Sequence, residues 1–241
     1  MKESQNEFYS SISNYYSEIF PYKPAQLQFV KKQLRQIKGA KILDIGCATG
    51  ELSFQLAKED AEITGIDLNP DLITQAINTK KHFSLHFQTG NMLELANDFQ
   101  SESFDAVLCF GNTLVHLLSA NRILEMLRGV FHILKPDGKF LLQILNYDYI
   151  LNEKVTELPL IETENIRFIR SYVIEENNPT VKFQTQLEVK KEGKTVPNET
   201  PLLALRSGEL KELLEKTGFK NIKLFASFKE ESFGEKHLPL V

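Results

Sequence analysis

Cysteine is scarce in this chain: two residues in 241, Cys47 and Cys109, with neither metal-ligand nor redox spacing. That excludes a disulfide framework and a thiolate metal centre, and both thiols read as small buried groups. Histidine is sparse too, with five residues. His82, His86, His132 and His237 have no partners at ligand spacing, so no metal site is expected. No apolar run approaches the ~20 residues of a membrane span, and residues 1–10 are polar and acidic rather than signal-like. No membrane association is expected, and the cytoplasm is the expected compartment. Positive charge is not in excess either. The net charge of -4 provides no electrostatic pull toward nucleic acid, which makes a small molecule the expected partner. Repeats and low-complexity stretches are missing, while a hydrophobic fraction of 42% suffices for a sizeable core.

The dinucleotide fingerprint G-x-G-x-x-G is also absent. In its place residues 41–50 read K-I-L-D-I-G-C-A-T-G, and Gly65-Ile66-Asp67 ends the next apolar run. Residues 41–45 make a short strand, Gly46 and Gly50 a tight turn, and 51–58 an amphipathic helix. Glycine is needed where the turn takes angles that a Cβ resists and where a ligand lies against the main chain. Asp67, at the C-terminal end of the second strand, is placed to accept both hydroxyl protons of a ribose. Asp44 precedes the first glycine. An acid there repels a pyrophosphate and suits a ligand carrying an ammonium and a sulfonium.

Phe8, Ile12, Tyr15, Tyr16 and Ile19 recur at helical spacing, which predicts a helix ending before Pro21, and a second helix spans 25–37. Strands at 62–67, 84–89, 104–109 and 139–145 alternate with helical stretches at 70–78 and 121–134. That alternation predicts an α/β fold of Rossmann-like type, with a mostly parallel sheet. The pattern then changes. Residues 166–174, 181–190 and 200–205 read as antiparallel strands separated by turns at Asn177-Asn178-Pro179 and Glu192-Gly193-Lys194. A helix at 208–216, a strand at 222–228 and an edge strand at 237–241 complete the chain. The expected organisation is a helical cap over 1–38, a core over 39–150, an inserted antiparallel sheet over 151–206 and the rest of the core over 207–241. The insertion follows the fifth strand, on the side where open α/β sheets bind ligands, and so can roof the pocket.

The run from Asp44 to Gly50 resembles motif I of the class I S-adenosylmethionine (SAM) dependent methyltransferases, with Ala48 where that family usually has a third glycine. The resemblance implies a seven-stranded, mostly parallel sheet with helices on both faces, SAM as cofactor and S-adenosylhomocysteine (SAH) as product. It places Asp67 on the ribose, Leu68 beside it as a further cofactor contact, Asp44 at the methionine end directly or through water, and Gly46, Cys47 and Gly50 beneath the cofactor. Asn91 and Met92 form the adenine pocket, although Asn91 also suits a cap on its own turn. Phe110 becomes the rim near the sulfonium, and Tyr16 a cover over the cofactor.

Residues 110–117, the run Asn146-Tyr147-Asp148-Tyr149-Ile150-Leu151 and the inserted sheet resemble the glycine and sarcosine N-methyltransferase branch, which implies a small-molecule acceptor methylated at nitrogen. Leu145 stands where that branch commonly has arginine, leaving the acceptor open. His116, Asn146 and Tyr16 are the catalytic candidates; His116 also continues the apolar face of Leu114, Leu117 and Leu118. Tyr15, Asn112, Asn146, Tyr147 and Arg206 are the candidate substrate contacts. Of Tyr15 and Tyr16 one packs and the other faces the site, and Arg206 either grips an anion or pairs with the following helix. Two alternatives stay open: a SAM-binding module without turnover, and a methyltransferase of RNA or protein. The expected assembly is a monomer or homodimer.

Overall fold

The computed structural model describes residues 2–176, 178–234 and 236–241. The turn residue Asn177 lies outside them. The single N-terminal helix expected from the apolar spacing is broken: α1 (Lys2–Ile12) passes through a 3-10 turn (Ser13–Tyr15) into α2 (Tyr16–Ile19). The hydroxyls of Ser11 and Ser13 donate back to the carbonyls of Phe8 and Ser10, a local competition that interrupts helices. After α3 (Pro24–Leu34) come β1 (Lys41–Ile45), α4 (Glu51–Ala57), β2 (Glu62–Asp67), α5 (Pro70–Thr79), β3 (Leu85–Thr89), α6 (Leu95–Asp98), β4 (Phe104–Cys109), α7 (Ala120–Ile133) and β5 (Leu134–Leu142). These five strands form one parallel sheet in the order β3-β2-β1-β4-β5. Ile42, Leu43, Ala106, Val107 and Leu108 in β1 and β4 are fully buried, as strands covered on both faces must be.

Past β6 (Ile144–Leu145) and α8 (Tyr147–Asn152), a separate antiparallel sheet is built from β7 (Ile161–Glu162), β8 (Ile166–Ile174), β9 (Thr180–Val189) and β10 (Lys194–Leu203), in the order β10-β9-β8-β7. The third expected strand, 200–205, begins earlier, at Lys194. Pro197 and Pro201 are tolerated in it because β10 is an edge with no ladder bond to supply on its outer side. Phe8, Ile12 and Ile19 from α1 and α2 pack on Ile166, Phe168, Leu187 and Val189, so the N-terminal helices cover one face of this sheet.

After α9 (Ser207–Thr217), the strand expected at 222–228 forms only a remnant. Phe225 exchanges both backbone hydrogen bonds with Val241 (2.8 and 3.0 Å), and the chain then folds back at Ser227, where Ala226 N–H reaches Glu231 O and Glu230 takes φ 61°. β11 (Pro239–Leu240) pairs antiparallel with β6. The seven-stranded plan is thus five full parallel strands plus this short C-terminal pairing.

Candidate active site

A cavity of about 1060 Å³ opens at the C-terminal ends of β1, β2 and β4, between α1–α2 and the inserted sheet. It is large enough for more than one small ligand. Its floor is the glycine turn. Gly46 and Cys47 N–H groups both donate to Ile66 O at 2.8 and 3.0 Å, tying the turn to β2. Ala48 takes φ 49°, a left-handed angle costly for any residue with a Cβ, and its N–H donates to Asp67 Oδ2 at 3.0 Å. Asp67 Oδ1 accepts from Asn69 N–H at 2.9 Å, so each carboxylate oxygen holds one backbone donor and keeps a lone pair for another. Burial pushes the Asp67 carboxyl up and these backbone donors pull it back.

Asp44 is 5% exposed and accepts from the Ser53 hydroxyl. Burial pushes its carboxyl up to about 6, against the Ser53 bond and with repulsion from Asp67 adding to the rise. Tyr16 lies across from these acids: burial raises its phenol, and Tyr9, Asp67, Cys47 and Asp44 add to that. Tyr16, Asp44, Gly46, Cys47, Asp67, Leu68, Asn91, Met92, Phe110, Asn112 and His116 all line the one cavity. Gly50 lies outside that lining. A Cβ there would stand 2.3 Å from Phe87 Cζ at a backbone φ of +75°. Gly50→Ala is expected to destabilise the fold by about 3 kcal/mol, combining left-handed strain with overpacking. Urea unfolding checks this, and a loss below about 1 kcal/mol would mean that the turn relaxes around the methyl group.

Several expected contacts are used otherwise. Tyr15 lies outside the cavity lining, with its hydroxyl donating to Glu192 Oε1 at 3.1 Å on the hairpin tip. The 3-10 turn ends at Tyr15 and α2 starts at Tyr16, which sends the adjacent rings to different sides. Asn146 is fully buried off the cavity, its Oδ1 accepting from Tyr149 N–H (3.3 Å) and its Nδ2 donating to Gly234 O (3.4 Å). It caps α8, and no part of it lines the pocket wall. Tyr147 is in the core, its hydroxyl taking Asn112 Nδ2 at 3.3 Å, while Asn112 Oδ1 accepts from Leu145 N–H at 2.9 Å. Asn112 thus splices the loop after β4 to β6. Arg206 pairs with Asp148 (3.2 Å) and Asn152 (3.1 Å) on α8, away from the cavity, and its N–H donates to Glu209. Asn91 Oδ1 accepts from Leu93 N–H at 3.2 Å, so it caps its turn while still lining the cavity.

His116 Nε2 lies 2.9 Å from the Tyr9 hydroxyl. Burial lowers the imidazole to about 4, so it is neutral at physiological pH. Tyr9 was not among the sequence candidates, although it stands seven positions before Tyr16, which in the unbroken helix expected from the spacing is two turns away on the same face. Arg170 and Tyr172 on β8 were missed as well, and both line the cavity. Strand alternation puts them on one face, but only the packing of the inserted sheet shows which face meets the site. Among the described residues no group of three or more His, Cys, Asp or Glu side chains is arranged for a metal, and no helix is long and apolar enough to cross a membrane.

The donor set fits a polyhydroxylated cation such as SAM. Two carboxylates stand at the ends of adjacent strands, beside the apolar walls Leu68, Met92 and Phe110. The methyltransferase-domain family profile matches residues 36–218. A Geobacillus (strain WCH70) protein named as a methyltransferase is 36% identical over 143 residues, which cover 56% of this chain and 57% of the relative. The chain therefore spans little more than half of that relative's length. The glycine/sarcosine N-methyltransferase of Aphanothece halophytica is 25% identical over 237 residues, 94% of this chain and 84% of that protein. A SAM-dependent methyltransferase structure from Clostridium acetobutylicum superposes with a TM-score of 0.80 at 15% identity, covering 96% of each chain. The glycine turn, the acid at the end of β2 and the profile match over most of the length agree: this chain belongs to the methyltransferase-domain family.

Proposed function

We propose that the protein is a SAM-dependent methyltransferase that methylates a small-molecule acceptor at nitrogen and releases SAH. The observation that carries this reading is the continuity of one cavity from the clamped Asp67 to the inserted sheet, which leaves room for a second ligand beside the cofactor residues. Bound there, SAM supplies a methyl carbon already activated by its positive sulfur, and the acceptor lone pair forms the new N–C bond as the C–S bond breaks. Asp67 takes the ribose hydroxyls, and Asp44 faces the methionine ammonium. Leu68, Met92 and Asn91 hold the base.

Because the electrophile is activated beforehand, positioning supplies most of the rate. His116 protonates only near pH 4 and is a weak proton acceptor at neutral pH. In this reading His116 and Tyr9 order the acceptor, and its proton leaves to solvent. Nitrogen is favoured over oxygen because His116 is too weak an acceptor to ionise a hydroxyl, whereas an amine can enter neutral. The name of the Aphanothece halophytica relative, aligned along nearly the whole chain, supports the same choice.

The test is SAH release from SAM across a panel of glycine, sarcosine, other small amines, carboxylic acids, phenols and bulk RNA. Turnover is expected with amines. Turnover confined to phenols would overturn the nitrogen assignment, and turnover confined to RNA the small-molecule one.

A further inference from the structure

Arg170 Nε, Tyr172 Oη and Thr185 Oγ1 are buried without a well-formed hydrogen bond among the described residues, although the Tyr172 hydroxyl faces that of Tyr147. They are neighbours. Arg170 and Tyr172 are two positions apart on β8 and therefore on one face, and Arg170 stands directly across the ladder from Thr185 on β9. Folded proteins pair nearly all such groups, so a buried Arg170 Nε–H beside a cavity calls for an acceptor. Arg170 and Tyr172 line the cavity, while Thr185 shares their face of the sheet but is not part of that lining. Tyr172 is 2% exposed and Thr185 5%.

The charge balance points the same way. Arg170 is held by one bond, Nη2 to Pro159 O at 2.7 Å, and no carboxylate of the described residues lies close enough to influence it; only Tyr172 does. A half-buried guanidinium without a counter-ion is costly unless an anion completes it. The place is also suitable. The Tyr172 and Tyr147 rings are 6.3 Å apart, and Tyr147 carries the Asn112 amide, so this patch adjoins the loop after β4 that bears His116. Phe183, 5.5 Å from the Tyr172 ring, supplies an apolar wall.

We propose that Arg170 and Tyr172 form a subsite for a carboxylate on the methyl acceptor. The Arg170 Nε–H and Tyr172 O–H donate to its oxygens. This assignment rests on the reading of the cavity as a methyl-transfer site. It makes the acceptor an acid as well as an amine, and makes the inserted sheet the element that selects it.

The experiment uses the full chain saturated with SAH and follows binding of matched probes, acetate against acetamide and glycine against glycinamide, by ligand-observed NMR. The wild type is expected to bind each acid at least roughly tenfold tighter than its amide, the scale of one charge-assisted hydrogen bond. Arg170→Gln is expected to erase that preference, and Arg170→Lys, which keeps the charge without the Nε–H, to restore only part of it. Tyr172→Phe should weaken acid binding several-fold. SAH affinity should stay within about twofold of wild type in all three variants, and the loss should fall on acceptor KM rather than kcat. Acids and amides binding alike, or neither binding to the SAH-loaded chain, would overturn the subsite while leaving the methyltransferase reading intact. Tyr172→Phe that raises stability without touching acid binding would reduce its hydroxyl to a packing defect and overturn it too. Failure of the wild type to bind SAH is a separate result, which removes the methyl-transfer reading and the subsite with it.

Discussion

Replacing Asp67 with alanine is expected to lower SAM affinity by about two to four orders of magnitude. Each Asp67 oxygen already holds one backbone N–H, from Ala48 and from Asn69, and each retains a lone pair for a ribose hydroxyl. A hydrogen bond to a charged group contributes about 1.5–3 kcal/mol, so two of them amount to roughly 3–6 kcal/mol. At about 1.4 kcal/mol per decade that is the stated range. The fold should survive. Ala48 N–H loses its acceptor, at a cost of about 1–3 kcal/mol, but the variant also removes a carboxylate whose burial disfavours its charged form. Asp67→Asn keeps one acceptor oxygen and is expected to fall between the two. Calorimetric titration with SAM, beside urea unfolding of each variant, separates binding from stability. SAM affinity within threefold of wild type in Asp67→Ala would remove Asp67 from the site.

The second large effect concerns Asp44 and pH. Its folded carboxyl titrates at about 6 instead of 3.8, so between roughly pH 4 and 6 the native chain holds a proton that the unfolded chain has released. The stabilising contribution is full below the unfolded value and is lost as pH rises through about 6. Above that, the unliganded fold carries a buried charge at a cost of about 3 kcal/mol, the free-energy equivalent of the rise from 3.8 to about 6. His116 acts in the opposite sense. Lowered from 6.5 to about 4, it contributes fully above 6.5 and loses that contribution as pH falls through 4. The two slopes nearly cancel over the shared window.

Asp44→Asn keeps an oxygen for the Ser53 hydroxyl and removes the charge. It is expected to stabilise the unliganded protein by about 2–3 kcal/mol at pH 7.5 and by little at pH 4, and to expose the acid loss due to His116. It should also weaken SAM binding roughly ten- to hundredfold, as the ammonium loses its partner. In the wild type, SAM affinity should climb between about pH 5 and 7 as Asp44 sheds its proton, and in Asp44→Asn the climb should flatten. Urea unfolding at several pH values and SAM titrations across the same range check both halves. An Asp44→Asn variant less stable than wild type at pH 7.5 would mean that the carboxylate is not penalised by its surroundings.

The parts of the fold legible in the sequence are those written in short periods. Strand-helix alternation over residues 41–142 specified a parallel sheet, and the strict alternation of Val181, Phe183, Thr185, Leu187 and Val189 marked β9 correctly. The glycine turn and Asp67 were legible for the same reason: a backbone that needs left-handed angles and a strand that ends in an acid are local statements. What stayed hidden depends on distant partners. Nothing near Arg206 announces that Asp148 and Asn152, on another helix, claim its guanidinium, nor that Gly234 takes the Asn146 amide. Residues 222–228 have strand-forming side chains, but the fold-back at Ser227 leaves one paired position, Phe225. Tyr9 and Arg170 went unnoticed because whether a side chain faces a cavity or a core is settled by how the N-terminal helices and the inserted sheet pack, and neither position differs locally from an ordinary amphipathic one.

The most direct measurement is calorimetric titration of SAM into the purified chain at pH 7.5, with SAH as competitor and NAD as the comparison ligand. The site described here predicts one saturable SAM site per chain, displaced by SAH, with no detectable NAD binding, because Asp44 beside the turn opposes a pyrophosphate. Absence of SAM binding, or NAD binding as tightly as SAM, would contradict it.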